Sequence, residues 1–159
     1  MAKHHKYSVD VVWTGNDGSG TKTYRGYRRD HTIDVESKAS ILGSSDPAFR
    51  GDPTRYNPEE LLVASLSACH MLSYLHLCSV NGICVVDYRD AAIGEMAEDA
   101  HGSGAFLSVE LRPSVTISEG SSSRAIELHD AAHHLCFIAN SVNFTVLVKP
   151  EVTISSEPF

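Results

Sequence analysis

The run Asn57-Pro58-Glu59-Glu60 opens the segment that most constrains this chain. Asparagine is a strong N-cap, proline is preset for the first helical position, and two carboxylates suit the positive end of a helix dipole. From Pro58 the residues stay apolar or small to about Val80, where Asn81-Gly82 supplies the left-handed residue that commonly ends a helix. The spacing predicts a helix of about 23 residues and about 35 Å. It is apolar nearly all round, and Ala64, Ser65, Ser67 and Ala68 allow close backbone approach, so protein is expected on most of its sides. In a chain of 159 residues such a helix needs a partner surface.

Tyr7 to Trp13 alternates with period two and stops at the turn signal Gly15-Asn16-Asp17-Gly18. Thr21 to Tyr27 is expected to return as the second strand of a hairpin, and His31 to Glu36 as a third strand. Gly43 to Tyr56 holds two prolines and two glycines without periodicity, which reads as a loop long enough for a functional role. Beyond the helix, Ile83 to Ala97 is partly alternating. Leu107 to Ile117 is a clean strand pattern in which Pro113 argues for an edge or a bulge. Ser121-Ser122-Ser123 caps a second helix from about Arg124 to Cys136, and Phe144 to Ile154 closes the chain as a strand. The order is α+β rather than the regular alternation of a doubly wound sheet. Residues 1–159 read as one domain.

A composition of 42% apolar and 21% charged residues excludes disordered, collagen-like and coiled-coil classes. The net charge of −7 has the wrong sign for a nucleic-acid partner. No stretch approaches 18 uninterrupted apolar residues and the start lacks a secretory pattern, so neither membrane nor export is expected and the cytoplasm is the default compartment. Cys69, Cys78, Cys84 and Cys136 stand 9, 6 and 52 residues apart, without zinc-ribbon spacing. In a reducing compartment they begin as free thiols.

Cys69 lies on a helical stripe with Leu62, Leu66, Leu72 and His76, and Cys136 ends the second helix on a stripe with His129 and Ala132. Cys78 and Cys84 have no charged partner pattern and read as structural. His133, His134 and Cys136, with Cys69-His70, offer zinc-type ligands. Neighbouring helical histidines, however, point about 100° apart, so no metal and no organic cofactor is expected. Asp87, Asp90 and Asp99 read as solvated turn and strand-end charges.

The segment Asn57-Pro58-Glu59-Glu60-Leu61-Leu62-Val63-Ala64-Ser65-Leu66-Ser67-Ala68-Cys69, followed by Cys136-Phe137-Ile138-Ala139-Asn140, resembles the signature of the osmotically inducible protein C (OsmC) family, which includes the organic hydroperoxide resistance proteins. The resemblance implies an intertwined α+β homodimer acting as a thiol-dependent peroxidase on organic hydroperoxides and, less well, hydrogen peroxide, with a thiol reductant completing the cycle. It implies Cys69 as attacking thiol, Cys136 as the thiol that forms a disulfide with it, and Glu59 as the carboxylate of an Arg–Glu pair supporting the thiolate. The arginine is Arg50, with Arg55, Arg28 and Arg29 as alternatives. Phe137 stands where relatives often have proline.

Chemistry supports the same assignment. A thiol of ordinary acidity is only a few per cent ionised at pH 7 and needs a nearby cation to attack a peroxide oxygen. Cys69 sits about three turns into its helix, beyond the reach of the dipole, whereas an arginine can supply that charge. Cys136, at a helix carboxyl end, is expected to ionise less readily. Glu59 precedes Cys69 by ten residues, about 15 Å along the axis, so a second copy of the helix packed across a two-fold axis is expected to bring them together. Leu62, Leu72 and Phe137 favour apolar hydroperoxides. The competing class is a non-catalytic dimeric module holding a small hydrophobic ligand in the inter-helix cleft.

Overall fold

The asparagine cap is built as its sequence dictates. Asn57 Oδ1 accepts the N–H of Glu60 at 2.7 Å, and Glu60 Oε2 accepts the N–H of Asn57 at 3.1 Å, a reciprocal capping box that satisfies two donors at once. The helix it starts, α1, runs Pro58–Val80, the predicted span. These features belong to a computed structural model that describes residues 3–156. The described residues group into two compact units, one ending at Leu61 and one beginning at Leu62.

The first unit carries a three-stranded antiparallel sheet of β1 (Asp10–Trp13), β2 (His31–Asp34) and β3 (Ile41–Gly43) in that order. The strand expected at Thr21 to Tyr27 is absent; those residues form turns, and β1 pairs with β2 instead, Trp13 opposite His31. The reason lies in the turn. Gly18 and Gly20 both take positive φ, and Asn16 Oδ1 accepts both of their N–H groups, which makes a wide loop rather than a tight hairpin. The Gly43 to Tyr56 segment is closed at its base, with Ser44 N–H on the Tyr56 carbonyl at 3.0 Å and Tyr56 N–H on Leu42 at 3.1 Å. Within it Asp46 caps a short 3-10 turn, Pro47–Phe49. Gly51 is obligatory there, because a Cβ would stand 1.4 Å from the Ser45 carbonyl oxygen.

The second unit contains β4 (Cys84–Asp90), β5 (Ile93–Glu98), β6 (Gly104–Leu111), β7 (Pro113–Glu119), α2 (Ser122–Leu135), β8 (Thr145–Val148) and β9 (Glu151–Ile154). They form two sheets, β4-β7-β9 and β5-β6-β8, each with one antiparallel and one parallel pairing. The Leu107 to Ile117 run, expected as one strand, is cut at Pro113, and its halves β6 and β7 lie in different sheets. Phe144 to Ile154 is divided in the same way at Lys149-Pro150. Proline cannot donate to a ladder, so each long run ends one strand and starts the next in the other sheet.

The α+β class is as the sequence predicts, but the packing of α1 is not. Only Leu66, His70, Tyr74 and Cys78, every fourth residue, are buried, while Leu72 and Val80 are each 63% exposed. Leu66 joins the cluster of Val109 and Leu111, whereas Tyr74 and Cys78 join Ile83, Val115, Ile117, Leu128 and Ala132. The buried stripe is therefore not the one that carries Cys69. Ser121 caps α2, its Oγ accepting the N–H of Arg124, and Cys136 follows as the C-cap residue.

Replacing Asn57 by Ala removes the Oδ1 acceptor of the Glu60 N–H and keeps the backbone N–H that Glu60 Oε2 accepts. Urea unfolding is expected to show a loss of about 1–2 kcal/mol with an unchanged m-value.

Candidate functional site

The helical arrangement places Cys69, half-buried, on the open face of α1, and Cys136, 1% exposed, just past the end of α2. The two thiols are close enough to influence each other electrostatically, and both are free. Cys136 is fixed by its own backbone: its N–H bonds the His133 carbonyl at 3.2 Å, and its sulfur accepts the N–H of Ala139 at 3.4 Å. Burial holds the Cys136 thiol well above its ordinary range, opposed by the Ala139 N–H and reinforced by the adjacent Cys69. The reduced ionisation expected from the helix end thus has desolvation as its chief cause.

Cys69 opens into a cavity of about 610 Å³ that follows α1 past Ala68, Leu72 and His76 and is walled by Leu135 and Phe137. Phe137 is 80% exposed at its rim. One sulfur is open to a solute and the other is shielded behind it. Cys78 is buried beneath the sheet, its thiol pushed up by desolvation, and Cys84 is exposed at the start of β4.

Next to Cys69, His70 turns inward. Its Nε2 pairs with Nδ1 of His129 on α2 at 3.0 Å, and the Tyr74 ring stacks on His129 with centroids 3.7 Å apart. Both imidazoles are completely or nearly completely buried. Desolvation pushes His70 down to about 4, with Asp90 opposing and His133 assisting, and it pushes His129 down to about 3, with His70 assisting. This pair was not legible as a unit, since nothing in a single sequence aligns His70 with a residue 59 positions later. Asp90 is also not the solvated charge expected: its carboxylate accepts from Ser67 Oγ at 2.5 Å and from the Arg112 N–H at 2.7 Å. Asp99 is a turn residue, accepting from the N–H groups of His101 and Ser103.

The remaining candidates lie in the first unit. Arg50 has left-handed backbone, φ 67°, at the end of the 3-10 turn, and among the described residues its side chain makes no ion pair. Arg55 lies 3.6 Å from Asp52 and 3.9 Å from Asp30, with its Nη1 buried and unpaired. Arg28 pairs with Asp17 and Asp30, and Arg29 lies over the rings of Tyr24 and Tyr27 while bonding two backbone carbonyls. Glu59, in the first turn of α1, has Oε2 buried with no hydrogen-bond partner. An ionised oxygen in that position calls for a cation.

A family model for OsmC-like proteins matches residues 51–151, a stretch that includes Glu59, Cys69 and Cys136. The chain belongs to the OsmC-like protein family. An OsmC-like protein of unknown function from Vibrio cholerae is 33% identical, with a TM-score of 0.82 over 93% of this chain and 100% of its own. The same fold recurs in an organic hydroperoxide resistance protein from Elizabethkingia anophelis, at 17% identity and TM-score 0.64 over 96% of this chain and 100% of that one. A further one, from Legionella pneumophila, has 17% identity and TM-score 0.63 over 94% and 99%. No curated protein matches the chain.

The histidine pair makes OsmC-fold stability sensitive to acid. The unfolded chain takes up protons at both residues near pH 6.5, whereas the folded pair resists until about pH 4 and about pH 3. In that window the unfolded state binds more protons, so stability falls as pH falls, by about 1.4 kcal/mol per pH unit for each group. Urea midpoints measured from pH 7 to pH 4.5 are expected to drop steeply, and His70→Leu with His129→Leu is expected to flatten the profile.

Proposed function

We propose that this OsmC-family protein is a thiol peroxidase that reduces organic hydroperoxides, and hydrogen peroxide less well, in oxidative stress defence. The observation that carries the reading is the pairing of an accessible thiol, Cys69, at a cavity of about 610 Å³ with a shielded thiol, Cys136, directly behind it. A lone reactive thiol would be oxidised further; a second one in reach converts the first product into a disulfide.

In the first step the Cys69 thiolate attacks the distal peroxide oxygen. The S–O bond forms, the O–O bond breaks, and the alkoxide takes a proton and leaves as alcohol, with Cys69 now a sulfenic acid. In the second, the Cys136 sulfur attacks Cys69 sulfur; the S–S bond forms, the S–O bond breaks, and the hydroxyl leaves with the Cys136 proton as water. A dithiol reductant then returns two electrons and two protons. The raised Cys136 thiol fits the second role, since it is poor at competing for peroxide and loses its proton only as water departs. Leu72, Leu135 and Phe137 give the cavity an apolar wall suited to the carbon part of an organic hydroperoxide.

The thiolate of Cys69 is supported by an Arg–Glu pair formed from Glu59 with Arg50, or with Arg55 in its place. Two features favour a homodimer as the working unit. Only 22% of the most apolar 18-residue window of α1 is buried within the chain, and Glu59 Oε2 is buried without a partner. In the dimer two α1 helices pack across the two-fold axis, so that Glu59 of one protomer serves Cys69 of the other. The compartment proposed is the cytoplasm, where thiol reductants keep the resting state reduced.

Titration of free thiols after one equivalent of cumene hydroperoxide is expected to show two lost per chain, and none in Cys69→Ser. Unchanged thiols in the wild type would leave the ligand-holding module as the better account. Subunit mixing addresses the shared site: Cys69→Ser and Glu59→Gln homodimers are each expected to be inactive. Their equimolar mixture should recover about a quarter of wild-type activity, since half the dimers are mixed and each has one intact site.

A further inference from the structure

Disulfide closure is a demanding geometry, requiring Cα atoms about 4.4–6.8 Å apart and a restricted torsion about the S–S bond. Cys69 moves with α1, and Cys136 is tied to the end of α2 by the His133 carbonyl and the Ala139 N–H. Whether the sulfurs can join therefore depends on how α1 lies along α2. Apolar packing between the helices resists separation, but it is non-directional and tolerates sliding. A hydrogen bond does not, because it weakens outside a narrow range of distance and angle.

Among the described residues, two side-chain hydrogen bonds tie α1 to α2: an exposed one at the far end, Arg124 to Oδ1 of Asn81 just past α1 at 3.4 Å, and a single buried one, His70 Nε2 to His129 Nδ1 at 3.0 Å. Its place is telling. His70 is the residue after Cys69, and His129 lies seven residues, about two helical turns, before Cys136. The bond is sealed from water, with His70 at 0% and His129 at 2% exposure. Tyr74, one turn along α1 from His70, stacks on the His129 ring at 3.7 Å, so α1 grips that imidazole both in its plane and on its face. The outward nitrogens, His70 Nδ1 and His129 Nε2, are buried and unpartnered. Sliding the helices would strand all four nitrogens in place of two, in a volume without solvent to rescue them.

We propose that His70 and His129 are positioning residues for the Cys69–Cys136 couple, fixing α1 in register with α2 and so setting the effective concentration of the second thiol at the first. The inference rests on the reading of those two thiols as a redox pair. It assigns the histidines no contact with peroxide. Their effect falls on disulfide closure, while the first attack at Cys69 is left nearly unchanged.

The test is the equilibrium of the Cys69–Cys136 disulfide with oxidised and reduced dithiothreitol, read by alkylation and peptide mass, which needs no peroxidase activity. His70→Leu with His129→Leu removes both buried polar groups together and keeps bulk in the core. That variant is expected to lower the equilibrium constant for closure at least tenfold, about 30 mV for a two-electron couple. After stoichiometric hydroperoxide it should close at least tenfold more slowly, with peroxide consumption within threefold of wild type.

His129→Asn, whose amide can occupy the place of Nδ1, is expected to stay near wild type. His129→Gln, of similar polarity but longer reach, is expected to lose closure tenfold. This comparison decides the matter should the double variant not fold. Equal closure constants in wild type and the double variant, or in His129→Asn and His129→Gln, would overturn the proposal, as would a wild-type chain that forms no such disulfide in any dithiothreitol ratio. A chain that consumes no hydroperoxide yet shows the predicted histidine dependence would remove the peroxidase reading and leave this one standing.

Discussion

A long apolar helix that its own chain covers on only one stripe is the constraint from which the rest of this structure follows. The 23 residues of α1 bury Leu66, His70, Tyr74 and Cys78 against two small sheets and α2, and leave most of the remaining surface open. The covered stripe supplies the core and the histidine bond; the open face presents Cys69. A fully surrounded helix would have shut that sulfur in, and a fully polar outer face would have left it in bulk water. The intermediate arrangement places a thiol at an apolar cavity with a second thiol behind it.

Much of this was legible in the sequence where local chemistry decides the outcome. Asn57-Pro58-Glu59-Glu60 and Asn81-Gly82 bound α1 correctly because capping and termination are set by adjacent residues. Ser121 marked α2 for the same reason, with the small shift usual at helix ends. What local chemistry could not show was partnership. Leu107 to Ile117 alternates with one period throughout, yet Pro113 hands its second half to another sheet. Thr21 to Tyr27 has strand-forming residues, but the Asn16 hydrogen bonds and two left-handed glycines spend them on a wide loop.

The candidate site divides along the same line. The cysteines could be chosen from the motif, and the inward turn of His70, away from the Cys69 face, follows from helical periodicity. That His70 would meet His129, or that Asp90 would be drawn into hydrogen bonds with Ser67 and Arg112, depends on long-range packing. Arg50 and Glu59 remain the most instructive pair. Glu59 has a buried oxygen in want of a cation, and Arg50 is an exposed cation with no ion pair among the described residues. Of the two, only the buried Glu59 oxygen lacks a partner, since an exposed guanidinium is met by solvent.

The central claim is that Cys69, and no other sulfur, meets the peroxide. Trapping with dimedone in Cys136→Ser tests it directly, because removal of the second thiol leaves the sulfenic acid nowhere to go. After one equivalent of an organic hydroperoxide, peptide mass mapping is predicted to find the adduct on Cys69 alone. An adduct spread over Cys78 and Cys84, or no adduct with the hydroperoxide unconsumed, would contradict the account.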